Sequence, residues 1–396
     1  MVHQAFFPQQ VYAPAQTTPP KVLLAPPKYV QGPGVLDQAG RYLKMLGCAK
    51  AGVMASARGH RTEAGRIVAA LQTEEIASVP VTFGGECSVE EIEAAAGRLR
   101  EAGIDTLLAV GGGKCVDAGK CVAYRLGVPI VIVPTLASND APCSAVAVIY
   151  TPEGVVADAE FFPHNPVLVV VDTTVVANAS ERYLVAGMGD AMATWYEAKV
   201  CLDNPAARNV VGGRPTLASC AIGEVCAKTL FADGEAAAAA VRENRVDEAL
   251  ERVVEANTLL SGIGFESGGL AAAHGLAEGY TALPEVERDF LHGEMVGMGV
   301  LTQLMLQDAR AEAARVAEFF ARIGLPVCLS QFNLSANEAD KLTTVAKGAM
   351  GFAPIHNLPF DVTWESVQQA ILDADALGSA VIAEKGDEAY QRLRAS

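Results

Sequence analysis

Between about residue 21 and residue 173, short apolar runs alternate with segments of helical periodicity. The runs KAGVMAS (50–56), TLLAV (106–110) and VPIVIVPT (128–135) are typical of buried strands, and EAGRIVAALQT (63–73) is typical of a helix. Ser88 and Glu91 form a capping box that predicts the start of another helix, which we expect to end at Gly103. Strands and helices that take turns in this way predict parallel βαβ units.

The pattern changes after VLVVVD (167–172), where alanine, glutamate and leucine become frequent and runs typical of strands almost disappear. We therefore predict an α/β domain with a parallel, Rossmann-like nucleotide-binding sheet over 21–174 and an all-α, metal-binding domain over 175–396. Residues 1–20 are rich in proline and glutamine, and we expect them to form a flexible arm.

Composition excludes several classes of function. A net charge of −16 over 396 residues is unsuited to holding nucleic acid or anionic lipid, so we expect neither as a partner. The nine cysteines are odd in number and form no CxxC pair, which favours free thiols in a reducing cytosol. The N-terminus lacks the pattern of a secretory signal, and no apolar run is as long as a membrane span. We therefore expect a cytoplasmic location.

Three successive glycines, Gly111, Gly112 and Gly113, stand between a predicted strand and a predicted helix. Glycine lets a ligand approach the backbone closely, and the N–H groups at a helix N-terminus suit a phosphate, to which Lys114 could add charge. The segment matches neither G-x-G-x-x-G nor a P-loop, so it predicts either a phosphate site or only a tight turn.

Polar residues are clustered after the next predicted strand, at Thr135, Ser138, Asn139, Asp140 and Ser144. The carboxyl edge of an open parallel sheet is where ligands bind. A cluster of this kind also occurs in ordinary turns and helix caps, which is the alternative interpretation.

One aspartate and two histidines lie among small residues in the helical half, at Asp190, His274 and His292. Three protein ligands with one open position are typical of a catalytic zinc. The spacing along the chain is long, so the alternative is that these are separate, buried and hydrogen-bonded side chains.

Taken together, these stretches resemble the zinc-containing glycerol dehydrogenases, a branch of the superfamily of iron-dependent alcohol dehydrogenases and dehydroquinate synthases. The likeness runs from PPKYVQGPGVL (26–36) to near the C-terminus. It is carried by FGGECS (83–88), GGGK (111–114), DAPCSAVAVIYT (140–151), GMGDAMATW (187–195), EANTLLSGIGFESGGLAAAH (255–274), HGE (292–294) and IHNLP (355–359).

The resemblance implies a role for each matched residue. The residues expected to bind the cofactor are Ser56, Gly112, Gly113, Lys114, Asp117, Thr135, Ser138, Ser144, Val146 and Tyr150, of which Gly113, Lys114 and Asp117 would lie against the pyrophosphate. Zinc would be held by Asp190, His274 and His292. Asp140 would be catalytic and would face the substrate, together with Asp190 and His274.

The implied reaction is the reversible NAD-dependent oxidation of glycerol to dihydroxyacetone at zinc. Iron-using relatives typically carry a histidine four residues after the metal-binding aspartate, whereas this chain has Thr194, which favours zinc with an open position. Rival interpretations are a related dehydrogenase for another diol, an amino alcohol or glycerol 1-phosphate, and a non-catalytic binding protein. His356 could lie near the site or be structural. Relatives of this kind form octamers, so the resemblance implies a homo-octamer for this chain as well.

Ser56, at the end of the strand KAGVMAS, bears on which nicotinamide cofactor the chain accepts. Glycerol dehydrogenases typically have aspartate there, which repels the 2′-phosphate of NADP. Arg58 and Arg61 follow, and arginine suits phosphate. We therefore expect NADP to be accepted beside NAD, unless both arginines are merely solvated.

Overall fold

The computed structural model describes residues 5–15 and 18–395. Its main sheet has six parallel strands: β1 (Tyr29–Gly32), β2 (Lys50–Ala55), β3 (Ala77–Thr82), β4 (Thr106–Gly111), β5 (Ile130–Pro134) and β8 (Leu168–Asp172). They are paired in the order β1-β8-β5-β4-β2-β3. A separate antiparallel hairpin consists of β6 (Val146–Tyr150) and β7 (Val156–Phe161).

The central strands are buried on both faces, which explains why their sequences are continuous apolar runs rather than alternating ones. One face packs on α2 (Ala39–Met45) and α3 (Glu63–Thr73). The other face packs on α4 (Val89–Ala102) and α5 (Gly113–Leu126). The chain also forms a short helix, α1 (Pro8–Tyr12), ahead of the sheet.

The predicted helix boundaries at Ser88 and Gly103 are confirmed. The Ser88 hydroxyl accepts a hydrogen bond from the Glu91 N–H at 3.3 Å, and Gly103 ends the helix with a φ of 64°. A helix that ends in this way has a residue in the left-handed backbone region after its last turn, and glycine enters that region without strain.

From Thr173 onward, every element in the described residues is helical. The helices are α6 (Thr173–Ala177), α7 (Glu181–Asp203), α8 (Leu217–Arg242), α9 (Glu248–Glu255), α10 (Ser261–Gly268), α11 (Ala272–Thr281), α12 (Pro284–Asp289), α13 (His292–Leu306), α14 (Arg310–Ile323), α15 (Ala339–Gly351), α16 (Trp364–Lys385) and α17 (Glu388–Arg394). A π-helical turn, Ala256–Leu260, joins α9 to α10. The predicted fold class, a parallel α/β part followed by a helical part, is confirmed.

The domain limits at 20 and 174 stay predictions, because one apolar core runs through both parts of the chain. It includes Val171 of the sheet, Leu184 of α7 and Leu393 near the C-terminus. No helix within 5–15 and 18–395 is long and apolar enough to cross a membrane.

The polar segment after β5 and the N-terminal arm each show a feature that the sequence did not indicate. The polar segment after β5 is a loop only as far as residue 145, since Val146–Tyr150 pairs with Val156–Phe161 as a hairpin. The described part of the expected flexible arm contacts the body of the protein: Phe6 bridges to Phe161, and the Gln9 side chain donates to the Val210 carbonyl.

Candidate active site

Three long-separated residues of the helical part meet at one point, as the zinc interpretation requires. Asp190 lies on α7, His274 lies on α11, and His292 is the first residue of α13. The Asp190 Oδ1 atom is 3.4 Å from Nε2 of His274 and 3.5 Å from Nε2 of His292. One potential ligand atom from each of the three residues lies within 4.8 Å of those of the other two.

The spacing of these atoms fits a zinc ion. Tetrahedral zinc with bonds of about 2.0–2.2 Å holds its ligands about 3.4 Å apart. Asp190 is fully buried, yet its Oδ1 accepts no hydrogen bond from any residue in 5–15 or 18–395. A buried carboxylate oxygen without a partner is costly, and a cation between it and the two imidazoles would remove that cost.

Electrostatics at the three residues favour a positive ion. Burial raises the pKa of Asp190, but the two imidazoles outweigh burial and leave its pKa below the usual value, so the side chain is a carboxylate. Loss of solvent around the ring, together with the neighbouring His274, lowers the pKa of His292 although half of its side-chain surface is exposed, and this favours the neutral imidazole that can bind a metal. The His292 side chain is 51% exposed, so the site opens to solvent on that side.

Glycines allow the helices to come close at this site. A Cβ on Gly189 would lie 2.3 Å from the Gly293 carbonyl oxygen, and one on Gly293 would lie 1.8 Å from the Ala186 carbonyl oxygen. The N-terminus of α13 can therefore pack directly on α7, which brings His292 to Asp190.

Asp140 is linked to this cluster through its backbone. Its N–H donates to the Asp190 Oδ2 at 3.1 Å, and its own Oδ2 is buried without a hydrogen-bond partner among the described residues. Burial, followed by the nearby Asp190 carboxylate, raises the pKa of Asp140 well above its usual value. A buried carboxyl group with a raised pKa beside Asp190, His274 and His292 is a candidate for holding or exchanging a proton.

The three successive glycines are needed for close packing rather than for a left-handed backbone. A Cβ on Gly113 would lie 2.6 Å from the Asn139 side chain, and one on Gly111 would lie 2.7 Å from the Cys115 side chain. Gly112 precedes the first residue of α5 with an extended backbone. The loop after β5 therefore rests on the N-terminus of α5, and both lie at the carboxyl edge of the sheet.

Lys114 and Tyr150 lie together at the mouth of this region. The Lys114 ammonium group is 2.6 Å from a Glu86 carboxylate oxygen and 4.5 Å from the centre of the Tyr150 ring. Tyr150, expected from the resemblance to bind the cofactor, and Lys114, expected to lie against the pyrophosphate, are thus neighbours.

Asp117 and Ser144 are turned towards the protein rather than towards open space. The buried ammonium of Lys120 is 3.3 Å from Asp117 Oδ1, and it donates to the Ser144 hydroxyl at 3.1 Å. The same ammonium donates to the carbonyls of Ala141 and Val146, each at 2.7 Å. Sequence reasoning did not find Lys120, which fixes to α5 the loop that carries Asp140.

A cavity of about 510 Å³ opens at the carboxyl ends of β2, β4 and β5. Ser56, Arg58 and Thr135 line it, together with Glu63 and Arg66. Arg61 is not among the lining residues, so only one of the two arginines expected here reaches the cavity. The Arg66 guanidinium is occupied by Asp37, at 2.9 Å, and Asp172, at 3.2 Å.

The chain is similar to known proteins over most of its length. Residues 26–173 match the family model for iron-containing alcohol dehydrogenase. Glycerol dehydrogenase of Escherichia coli O6:H1 is 42% identical and aligns over 92% of this chain and 99% of its own length. Glycolaldehyde reductase of Halobacterium salinarum is 40% identical over 91% of this chain and 98% of its own length. The crystal structure of a probable glycerol dehydrogenase from Sinorhizobium meliloti 1021 superposes with a TM-score of 0.85 at 40% identity, covering 91% of this chain and 99% of that one.

The chain belongs to the iron-containing alcohol dehydrogenase family. It is an alcohol oxidoreductase, and its resemblance to the glycerol dehydrogenases is confirmed.

Two further residues of this alcohol dehydrogenase were singled out in its sequence, and both lie outside the cluster of Asp190, His274 and His292. The Thr194 hydroxyl is 2.9 Å from that of Ser261, inside the helical core. His356 is exposed, while its neighbour Asn357 donates to the carbonyls of Leu270, at 2.8 Å, and Arg208, at 3.0 Å. The motif IHNLP therefore holds loops together through its asparagine.

Glu197, which sequence analysis of this dehydrogenase missed, lies beside His274. Glu197 is fully buried on α7, and its Oε2 is 2.6 Å from Nδ1 of His274. Its seven-residue distance from Asp190 places both on one face of the helix, a signal that the sequence does carry.

Proposed function

We propose that the protein catalyses the reversible, NAD-dependent oxidation of glycerol to dihydroxyacetone at a zinc ion held by Asp190, His274 and His292. The observation that carries the proposal is the buried Asp190 oxygen, which has no hydrogen-bond partner in the described chain and faces two imidazole nitrogens at 3.4 and 3.5 Å. The relatives named glycerol dehydrogenase support the choice of substrate.

Asp190, His274 and His292 supply one oxygen and two nitrogen ligands, which leaves one position of a tetrahedral ion for the substrate. Zinc bound there would act as a Lewis acid and lower the pKa of the alcohol to be oxidised. Glu197 supports His274 from behind, and the partly exposed His292 lies on the side from which a small polyol can enter.

The proposed cofactor site is the carboxyl edge of the sheet. Bound NAD would accept the hydride from the alcohol carbon. Gly112, Gly113 and Lys114, at the N-terminus of α5, offer N–H groups and a cation to the pyrophosphate. The cavity that Ser56 lines has room for the adenosine end, with Thr135, Ser138, Ser144, Val146 and Tyr150 proposed for the nicotinamide half.

The role of Asp117 in that site is proposed to be indirect. Its carboxylate is 6% exposed and is used by Lys120 and by the Val148 N–H, which donates at 3.1 Å. It therefore supports the binding region by holding the β6 strand on α5, rather than by offering its charge to a ligand.

Asp140 is the proposed catalytic carboxyl group. Oxidation of an alcohol releases one hydride and one proton. The buried Asp140 Oδ2 has no described partner, so it is free to accept a hydrogen bond from a polyol hydroxyl or to take up that proton. Its raised pKa makes uptake of a proton easier than at an exposed aspartate.

A second candidate is the reduction of glycolaldehyde, because a relative with that name is 40% identical over 91% of this chain. The same metal and cofactor chemistry would serve, since aldehyde reduction reverses alcohol oxidation. Other diols, amino alcohols and glycerol 1-phosphate stay alternatives. A phosphorylated substrate has less support, since the buried Lys120 ammonium near Asp140 already contacts two carbonyls, a hydroxyl and a carboxylate.

Steady-state rates of NAD reduction with glycerol, 1,2-propanediol and glycerol 1-phosphate, and of NADH oxidation with dihydroxyacetone and glycolaldehyde, test the proposal. We expect the highest kcat/KM for glycerol and dihydroxyacetone. A higher kcat/KM for glycolaldehyde than for dihydroxyacetone would favour the second candidate, and no turnover with any of them would contradict both.

A cytoplasmic location is part of the proposal. All nine cysteines are free and buried, which suits a reducing compartment.

A further inference from the structure

We propose that Glu197 is a positioning residue that sets the tautomer of His274 and thereby the affinity of the site for its metal. This inference rests on the proposed zinc site. It adds a residue that contacts neither substrate nor metal and acts only through His274.

Glu197 makes three hydrogen bonds, and all of them go to one short segment. Its Oε2 is 2.6 Å from Nδ1 of His274. Its Oε1 accepts from the N–H of Ala271 at 2.8 Å and from the N–H of His274 at 3.0 Å. The carboxylate is fully buried, so no water competes for these bonds.

The backbone bonds belong to a complete cap of the α11 N-terminus. A helix leaves its first N–H groups without internal partners. Glu197 accepts from two of them, and the Gln303 side-chain oxygen accepts from the other two, those of Ala272 and Ala273, at 2.9 and 3.0 Å. Gln303 lies on α13, which begins with His292, so the helices that carry the other two metal-binding residues also fix the helix that carries His274.

These contacts determine where the His274 proton resides. A carboxylate can only accept, so Nδ1 facing Glu197 must carry the hydrogen. In the neutral imidazole, Nε2 then has its lone pair free, and Nε2 is the atom that faces Asp190 at 3.4 Å. Carboxylate, histidine and metal in this order are a recurrent arrangement that raises ligand basicity.

Replacing Glu197 by glutamine would reverse this arrangement with almost no change in volume. The two backbone N–H groups need an acceptor, so the amide oxygen would stay with them and the NH₂ group would face Nδ1. That group donates, so Nδ1 would have to accept and the proton would move to Nε2. The nitrogen that faces the metal would then be blocked.

The experiment compares zinc affinities of the wild-type chain and of the E197Q and E197D variants, each stripped of metal and titrated against a chromophoric chelator. The tautomer argument predicts about a 10- to 100-fold loss of affinity for E197Q. It predicts a smaller loss for E197D, which keeps an acceptor-only group. A role limited to packing predicts the opposite order, because aspartate is shorter and leaves a void whereas glutamine fills the site.

Glu266→Gln is the matched control. Glu266 is also a buried carboxylate that accepts two hydrogen bonds, from the Ala145 N–H at 2.8 Å and the Asn165 amide at 2.7 Å, but it hydrogen-bonds to no histidine in the part of the chain that the structure describes. We expect wild-type zinc affinity for this variant. Thermal unfolding of each metal-free protein shows whether a variant is folded, and the absorption spectrum of the cobalt-substituted protein gives a second measure of ligand geometry.

The outcomes are distinguishable. Unchanged zinc affinity of folded E197Q, or a larger loss for E197D than for E197Q, would overturn the inference while leaving the zinc site in place. Failure of the wild-type chain to bind zinc would overturn the proposed function and this inference with it.

Discussion

Replacement of Arg58 by alanine tests how this dehydrogenase chooses between NAD and NADP. Ser56 directly follows β2, and Arg58 stands two residues further on, both exposed at the wall of the cavity. The Ser56 hydroxyl accepts from the Gly59 N–H at 3.0 Å, which folds this turn towards the cavity. No carboxylate occupies position 56, and the Arg58 guanidinium pairs with no acidic side chain of the described residues. The turn can therefore accept a 2′-phosphate.

The size of the effect follows from the exposure of Arg58. One charge-assisted hydrogen bond contributes about 1.5–3 kcal/mol, which is about 10- to 150-fold in affinity. An exposed arginine is partly screened by solvent, which places this contact at the lower end, about tenfold. Among the described residues, Glu63 is the only acid that lines the cavity, and it opposes a bound phosphate by charge repulsion. We therefore expect kcat/KM with NADP to lie within about tenfold of that with NAD.

Steady-state kinetics with both cofactors on the Arg58→Ala, Arg61→Ala and Ser56→Asp variants decide the matter. Arg58→Ala should lower kcat/KM for NADP about tenfold and leave NAD nearly unchanged. Ser56→Asp should shift the ratio further towards NAD, because it adds a repelling charge. Arg61→Ala is the control, since Arg61 is near in sequence but does not line the cavity. A wild-type preference for NAD above about a hundredfold would refute the reasoning, and so would an unchanged ratio in Ser56→Asp.

Four other outcomes can be checked. Purified enzyme should contain about one zinc per chain. Prolonged chelation should abolish turnover, and added zinc should restore it. Full activity without metal would exclude the zinc role. His292→Ala should remove activity while NAD binding, followed by fluorescence titration, is largely kept, because His292 does not line the proposed cofactor cavity. Light scattering should show a homo-octamer, and a monomer of 41.3 kDa would contradict it. Burial raises the pKa of Glu266 from 4.5 to about 7. The folded state therefore binds this proton more tightly than the unfolded state does. The resulting contribution to folding stability is complete below pH 4.5 and is lost as the pH rises to about 7. That loss is about 3 kcal/mol, and chemical denaturation should show it in the wild type but not in Glu266→Gln.

The sequence by itself determined the elements of the first half. Strands such as Thr106–Gly111 are buried on both faces, so their apolar runs are unbroken, and local signals such as Ser88 and Gly103 mark helix ends through their own hydrogen bond and backbone angle. Chemistry was readable only in part, since an aspartate and two histidines among small residues left a metal site as one of two interpretations until the resemblance favoured it. The hairpin was missed because its strands are short and follow a loop with strong turn signals.

Only the tertiary structure decided which distant side chains meet. Asp190 and His292 are about a hundred residues apart, and their contact depends on backbone approaches at Gly189 and Gly293 that no local pattern reveals. The same holds for Glu197, whose two oxygens are satisfied by a segment more than seventy residues away. It also holds for Arg58 and Arg61, which look equivalent in sequence, although only Arg58 reaches the cavity. The direction of a side chain at the end of a strand is set by how the turn packs, because residue type alone leaves several directions open.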